Sequence, residues 1–230
     1  MTAYTERPSA HEMFACVWSR TFDGGTVATV VPDACADVMW HRESGRLFVA
    51  GPDTYAHRTS LSPGLLLAVR FRPGRAPAGL GVPAAEVRDE RVDLDQLWPS
   101  ARVRKLVDDL GGASSVEAAS RVLADTVASV GAPWDPAVPT LMSLVRGDER
   151  MASIATTLGW TERQLHRRST AAFGYGPKVL QRVLRFDRAM RMARTGVGLA
   201  TVACEAGYAD QAHMAREVRT LAGAPMTTLL

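Results

Sequence analysis

One pattern occurs twice in the last third of the chain, and each copy must fold in the same way. Met151, Ile154, Ala155 and Leu158 fall on one face of a helix, and Gly159 ends it. Thr161, with Gln164 three positions later, makes a capping box that opens a second helix. Leu199, Val202, Ala203 and Ala206 repeat that face 48 residues on, Gly207 ends it, and Asp210 opens the next helix. The second helices turn Leu165, Ala172 and Phe173 inward in one copy and Met214, Val218 and Leu221 in the other. Their offset is 49 residues, Leu165 to Met214, so one residue has entered the second turn. Each copy is a helix-turn-helix, whose second helix can lie in the major groove of DNA. A connecting helix from Pro177, a favoured first helical position, to about Arg194 joins the two.

The strings IATTLGW, LHRR, GYGP, VACEAGYAD and HMARE accompany this repeat and the arginine-rich connector. In these marks the chain from about residue 138 to its end resembles the DNA-binding domain of AraC-type transcription regulators. The resemblance implies an all-helical, two-headed domain that reads double-stranded DNA, with RNA polymerase a further partner if the protein activates. Ser169 and Val218 stand where an aromatic residue is common in that family, and the ending Gly223, Ala224, Pro225 is one residue shorter than usual. Upstream, VPDACADVMW, FVAGPDT, RFRPGRAP and LW resemble the sensing domain of a group of actinobacterial regulators. That implies a sensing role and supplies no ligand.

Placing Leu165 at the buried centre puts Arg163 and Arg167 opposite the core, with His166 and Thr170 beside them. Arginine there can donate two hydrogen bonds to guanine, so Arg163, Arg167 and His166 are expected base readers. Gln164 either reads a base or bonds back to Thr161. In the second copy Gln211, Ala212, His213 and Arg216 take the corresponding places, Ala212 offering only a methyl contact to thymine. Thr170, Lys178, Arg182, Arg185 and Arg219 are expected at phosphates, while other connector arginines pair with Asp187 or Glu205 or meet water. The net charge of +3 divides unevenly: 13 Lys and Arg against 8 Asp and Glu from Asp135 onward, and 14 against 16 before it. Positive charge thus belongs to the repeated part.

The first half reads differently. HEMFACVW, TVATVV, ADVMW, RLFVA and LLLAVRF are β-type runs, parted by Gly24 and Gly25, Gly51 and Pro52, then Pro63 and Gly64. Two helices follow, one from Pro99 to the glycines at 111 and 112 and one from Ser115 to about Val130. The expected fold is α+β: a β-rich sensing or dimerisation domain with two helices (1–132), a proline-rich linker (133–139), and a double helix-turn-helix domain (140–230). The stripe of Val103, Leu106, Val107, Val122, Leu123 and Val127 suits either a homodimer interface or packing on the chain's own sheet.

Phe14, Trp18, Trp40, Phe48 and Phe71 either line a small-molecule effector pocket or form core. Two other readings compete with effector binding. His11, Cys16, Cys35, His41 and His57 could meet around a sensed metal, although no pair has close ligand spacing. Cys35 could accept a methyl group from alkylated DNA, although the activating four-thiolate zinc site cannot be built from Cys16 and Cys35. Three widely spaced cysteines exclude a disulfide framework, and no phosphate loop, nucleophile elbow or HExxH helix is present. The expectation is a cytoplasmic, non-enzymatic protein without cofactor or metal. No apolar run approaches the roughly 20 residues that span a bilayer, and the first twenty residues lack a secretory pattern.

Overall fold

The computed structural model describes residues 4–23, 27–60 and 62–230; Gly24 and Gly25, read as a strand separator, lie outside them. Among the described residues there are eight strands: β1 (Tyr4–Pro8), β2 (Phe14–Phe22), β3 (Val27–Val30), β4 (Asp37–His41), β5 (Arg46–Ala50), β6 (His57–Ser60), β7 (Gly64–Phe71) and β8 (Arg91–Asp93). Six make an antiparallel sheet in the order β1-β2-β7-β4-β5-β8, and β3 pairs with β6 as a separate ribbon. The two-residue period sorts the side chains between the faces of the sheet. Phe14, Val38, Trp40, Leu47, Val49, Leu67, Val69 and Phe71 point one way, whereas Cys16, Trp18, Phe22, Phe48, Leu66 and Ala68 point the other.

Helices cover the first of these faces. Short α1 (Ala76–Leu80) is followed by α2 (Ser100–Gly111) and α3 (Val116–Ala128), the latter capped by the Ser115 hydroxyl, which accepts from Ala118 N–H. Leu106, Leu110, Leu123 and Val127 are fully buried against the sheet, each contributing about 1.5 to 3 kcal/mol. Val103, Val107 and Val122 pack on the margin of the same core. The apolar stripe on these two helices is thus covered by the chain's own sheet.

Beyond it, the segment expected as a linker is pinned down. Ala132 N–H donates to Ala78 C=O at 3.0 Å, the Arg75 guanidinium lies over Trp134, and Asp135 bonds Arg168. Seven helices follow: α4 (Val138–Arg146), α5 (Met151–Thr157), α6 (Glu162–Phe173), α7 (Pro177–Arg194), α8 (Leu199–Ala206), α9 (Gln211–Ala222) and α10 (Met226–Leu229). The architecture is the β-rich region followed by helices that the sequence led us to expect. Among the described residues, no helix is long and apolar enough to cross a membrane.

The two halves of the chain are docked, and the first contact is close-packed. Ala34, in a left-handed turn (φ 65°) between Asp33 and Cys35, is buried in one core with Phe173 and Tyr175. Gly74 and Gly174, both at positive φ, let the backbones meet. A Cβ on Gly74 would come within 2.7 Å of the Phe173 ring, and one on Gly174 within 2.7 Å of Pro52 Cγ. Arg88 Nη1 donates to the Gly174 carbonyl just past the end of α6. The second contact lies at the foot of the ribbon, where Ala56 N–H donates to Leu221 C=O of α9 at 2.6 Å. The N-terminal region thereby satisfies a carbonyl at the C-terminal end of α6 and another at that of α9.

Candidate DNA interface

The repeated sequence gives two small helical cores sharing one helix. Leu180, Val183 and Leu184 of α7 pack with Ile154, Leu165 and Phe173. Phe186, Ala189, Met190 and Ala193, further along α7, pack with Val202, Met214, Val218 and Leu221. Each turn uses a glycine at positive φ, Gly159 and Gly207. Each recognition helix has a side-chain cap: Thr161 Oγ1 accepts from Gln164 N–H, and Asp210 Oδ1 accepts from His213 N–H. At the first cap Gln164 Oε1 also accepts from Thr161 N–H at 2.8 Å, completing the capping box and tying the glutamine back onto its own helix.

Arg163, Arg167 and Arg216 project from the exposed faces of α6 and α9, and Gln211 and Ala212 are exposed at the start of α9. None of the three arginines has an acidic side chain within salt-bridge distance among the described residues. Arg167 also lines a cleft of about 460 Å³ with Gly74, Pro77 and Pro83 of the N-terminal region, so Arg163, one turn earlier, is the less encumbered. His166 lies against Gly176, where a Cβ would approach Nε2 to 2.7 Å. His213 is half-buried with its ring edge-on to Tyr208. The Thr170 hydroxyl is enclosed by protein, while Lys178 and Arg219 are exposed.

Arg182 and Arg185 do something that the sequence reading did not find. Both reach Glu217 of α9, a carboxylate only 8% exposed, at 2.8 and 3.4 Å, and His213 stands 3.8 Å from it. Arg185 also covers the Tyr208 ring and bonds the Gly207 carbonyl. These contacts tie the second recognition helix to the connector. Glu217 lies three residues after buried Met214, on the inward flank of its helix, which is the signal that could have singled it out. Elsewhere on α7, Arg191 pairs with Asp187 and Arg188 bonds Arg146 C=O. Ser169, fully buried where an aromatic is common, donates to Tyr175 C=O at 2.8 Å and so leaves no orphan hydroxyl.

Residues 154–230 match a family model described as a helix-turn-helix domain, and residues 7–93 match one described as a domain of unknown function (DUF6597). The C-terminal third is an AraC-type helix-turn-helix domain. Domains of this type belong to DNA-binding transcription regulators, and here the AraC-type domain presents both recognition helices from one connector. No curated protein matches the chain. Solved structures similar to it include ToxT from Vibrio cholerae. An apo variant from strain SCE256 is 12% identical over 100% of this chain and 96% of that one, with a TM-score of 0.47. ToxT from strain O395 is 12% identical over 100% and 96%, at 0.46. Wild-type ToxT bound to an unsaturated fatty acid is 10% identical over 95% and 96%, at 0.48.

The five aromatics suggested for a pocket do not surround one cavity. Phe14, Trp40 and Phe71 sit on the helix-covered face of the sheet, and Trp18 and Phe48 on the other. The metal reading finds no group of three or more His, Cys, Asp or Glu among the described residues that could hold an ion. His11 instead bonds Asp125 and His41 bonds Ser44. Burial, with the Asp33 carboxylate beside it, pushes the Cys35 thiol well above its ordinary range, and burial pushes Cys16 up to about 12. Both shifts favour the protonated thiol, the reverse of what activates a nucleophile.

Proposed function

We propose that the chain is a sequence-specific, DNA-binding transcription regulator controlled by a small-molecule effector through its N-terminal domain. In this reading α6 and α9 enter successive major-groove segments on one side of a duplex, about one helical turn apart. Arg163, Arg167 and Arg216 donate to base edges, supported by Gln211, Ala212 and His213, and Lys178 and Arg219 hold phosphates. Arg182 and Arg185 act one step back, positioning α9 through Glu217. The observation that supports this best is the contrast among arginines. Those inside the repeat, Arg182 and Arg185, are engaged, while Arg163, Arg167 and Arg216 on the outward faces have no acidic partner among the described residues.

The effector part of the reading draws on the docking. The N-terminal domain touches the C-terminal ends of both recognition helices, so a ligand that alters its loops alters their mutual placement. The test is selection of duplex DNA from a random pool by the full chain at two salt concentrations. Enrichment of two short blocks about 10 base pairs apart is expected, with affinity falling steeply as salt rises. Binding without enrichment of any sequence would mean that these arginines hold phosphate and read nothing.

A further inference from the structure

The hairpin turn between β4 and β5 brings a serine, a histidine and a glutamate together. Ser44 Oγ lies 2.7 Å from His41 Nδ1, and His41 Nε2 lies 3.9 Å from Glu43 Oε2. Ser44 is exposed on the turn, whereas His41 is only 5% exposed. The glutamate is held from outside the hairpin: Glu43 Oε2 accepts from Leu65 N–H at the start of β7, at 2.7 Å. Gly64 beside it, at φ 144°, leaves the room. A Cβ there would come within 2.0 Å of Glu43 Oε2 and 2.9 Å of His41 Nε2. Serines elsewhere serve the backbone: Ser120, Ser129 and Ser169 donate to carbonyls, and Ser115 caps α3. Among the described residues, Ser44 alone bonds an imidazole.

The surroundings decide where the protons sit. The Glu43 carboxylate on the Nε2 side favours the tautomer protonated at Nε2, which leaves Nδ1 to accept from the Ser44 hydroxyl. Arg46 N–H donates to Ser44 Oγ at 3.3 Å, so the hydroxyl accepts there and gives its own proton to Nδ1. A hydroxyl bonded to a base that a third group orients is the arrangement that makes serine a nucleophile. We propose that Ser44 is a covalent modification site for activated acyl donors. Ser44 Oγ attacks the acyl carbon as its proton passes to His41 Nδ1. The bond to the leaving oxygen then breaks, that oxygen keeps the electron pair and takes the proton from His41, and acyl-Ser44 remains. Glu43 is a positioning residue that stabilises the imidazolium formed in passing. Ser44 stands on an exposed turn, so the donor is one whose leaving group departs readily, an aryl ester or a mixed anhydride. This chemistry belongs to the N-terminal domain and does not rest on the DNA-binding reading.

The full chain is mixed with p-nitrophenyl acetate, p-nitrophenolate release is followed, and the acetyl group is located by peptide mass mapping. A burst of one equivalent per chain is expected, with the acetyl group on Ser44. Ser44→Ala removes the burst. His41→Gln slows it about a hundredfold, the lower end of what a positioned base supplies. Glu43→Gln keeps an acceptor for Leu65 N–H but loses the charge, and slows the burst about tenfold, whereas a merely structural glutamate would leave the rate unchanged. Ser44→Ala and Glu43→Gln alter exposed side chains, so they decide the matter if His41→Gln fails to fold. The proposal is overturned if the wild type gives no burst, or if Glu43→Gln and Ser44→Ala release p-nitrophenolate as the wild type does. It is equally overturned if the acetyl group is found on Lys105, Lys178 or the exposed Ser114 and Ser153 as readily as on Ser44.

Discussion

The two recognition helices have the same sequence pattern and opposite surroundings. The far end of α6 is sealed into the N-terminal domain: Phe173 meets Gly74, Gly174 meets Pro52, and the Tyr175 ring is buried in one core with Ala34. The far end of α9 receives one main-chain hydrogen bond from Ala56 and a small apolar contact, Val31 and Ala56 on its core, and otherwise borders an open cleft. Close packing resists small displacements, whereas a sparse contact beside an open cleft allows them. In the reading proposed above, the first helix is therefore the fixed reader and the second the adjustable one, held to the connector through Glu217.

The largest expected effect tests the sealed end. Phe173→Ala should cost about 3 to 5 kcal/mol in denaturant melts and expose residues 131–137 to protease, because both domains lose the same ring. Leu221→Ala should cost about 2 to 5 kcal/mol without that exposure. Equal cleavage in the two variants would erase the distinction between a fixed and an adjustable reader. Next, Glu217→Ala should cost about 2 kcal/mol, less than a fully buried pair because the Arg182 partner is 41% exposed. Its DNA selection should blur the second block only. Blurring of both blocks would show that Glu217 merely holds the domain together.

A matched glycine pair sharpens the comparison further. Gly174→Ala and Gly223→Ala both pay about 1 to 2 kcal/mol for a left-handed alanine, but only the first drives a methyl group into Pro52. The first variant should therefore be less stable by a further ~1 to 3 kcal/mol, and equal melting of the two would refute the close approach. For DNA, Arg163→Ala should weaken binding by about 1 to 3 kcal/mol and relax one position in the first block, with Arg216→Ala doing the same in the second. Uniform loss on every sequence would count against base reading by either residue.

The smallest effect concerns Asp33, which burial pushes up to about 6 against the pull of Arg70 at 3.4 Å. The folded value lies above the unfolded one of about 3.9, so protonation favours the folded state. That contribution is full below about pH 4 and lost as the pH rises through 6. Asp33→Asn keeps an acceptor for Cys35 N–H and stays neutral. Its melting temperature should vary less than that of the wild type between pH 4 and 6. An identical pH profile would remove Asp33 from the account of this joint.

Much of the helical half is legible in the sequence because its signals are local. The capping box at Thr161, the glycines at 159 and 207, and Pro177 are each decided by neighbours within four residues. The strands with a buried face were legible for a similar reason. β1 was not, since every residue of it is exposed at the sheet edge, and β6 alternates half-buried and exposed residues in a ribbon of two strands. The joint between the domains shows the limit best. PDACAD, GPDT and RPGRAP stand out as strings, yet their use is to receive Phe173, Gly174 and Tyr175 from a segment about a hundred residues away. No period or spacing in the sequence reports such a contact.

The shared helix α7 has a consequence for how such a domain can change over time. Its first half seats one core and its second half the other, so an added residue between Leu184 and Phe186 would swivel one head about its axis by about 100° and advance it by about 1.5 Å. The two arginine faces would then look toward different sides of a duplex. The turn between α8 and α9 is free of that coupling, and it is there that the two copies differ in length by one residue. Drift in length is tolerated at the hinges of the heads and barred from the axle between them, so the spacing of the DNA site is inherited as the pitch of a single helix.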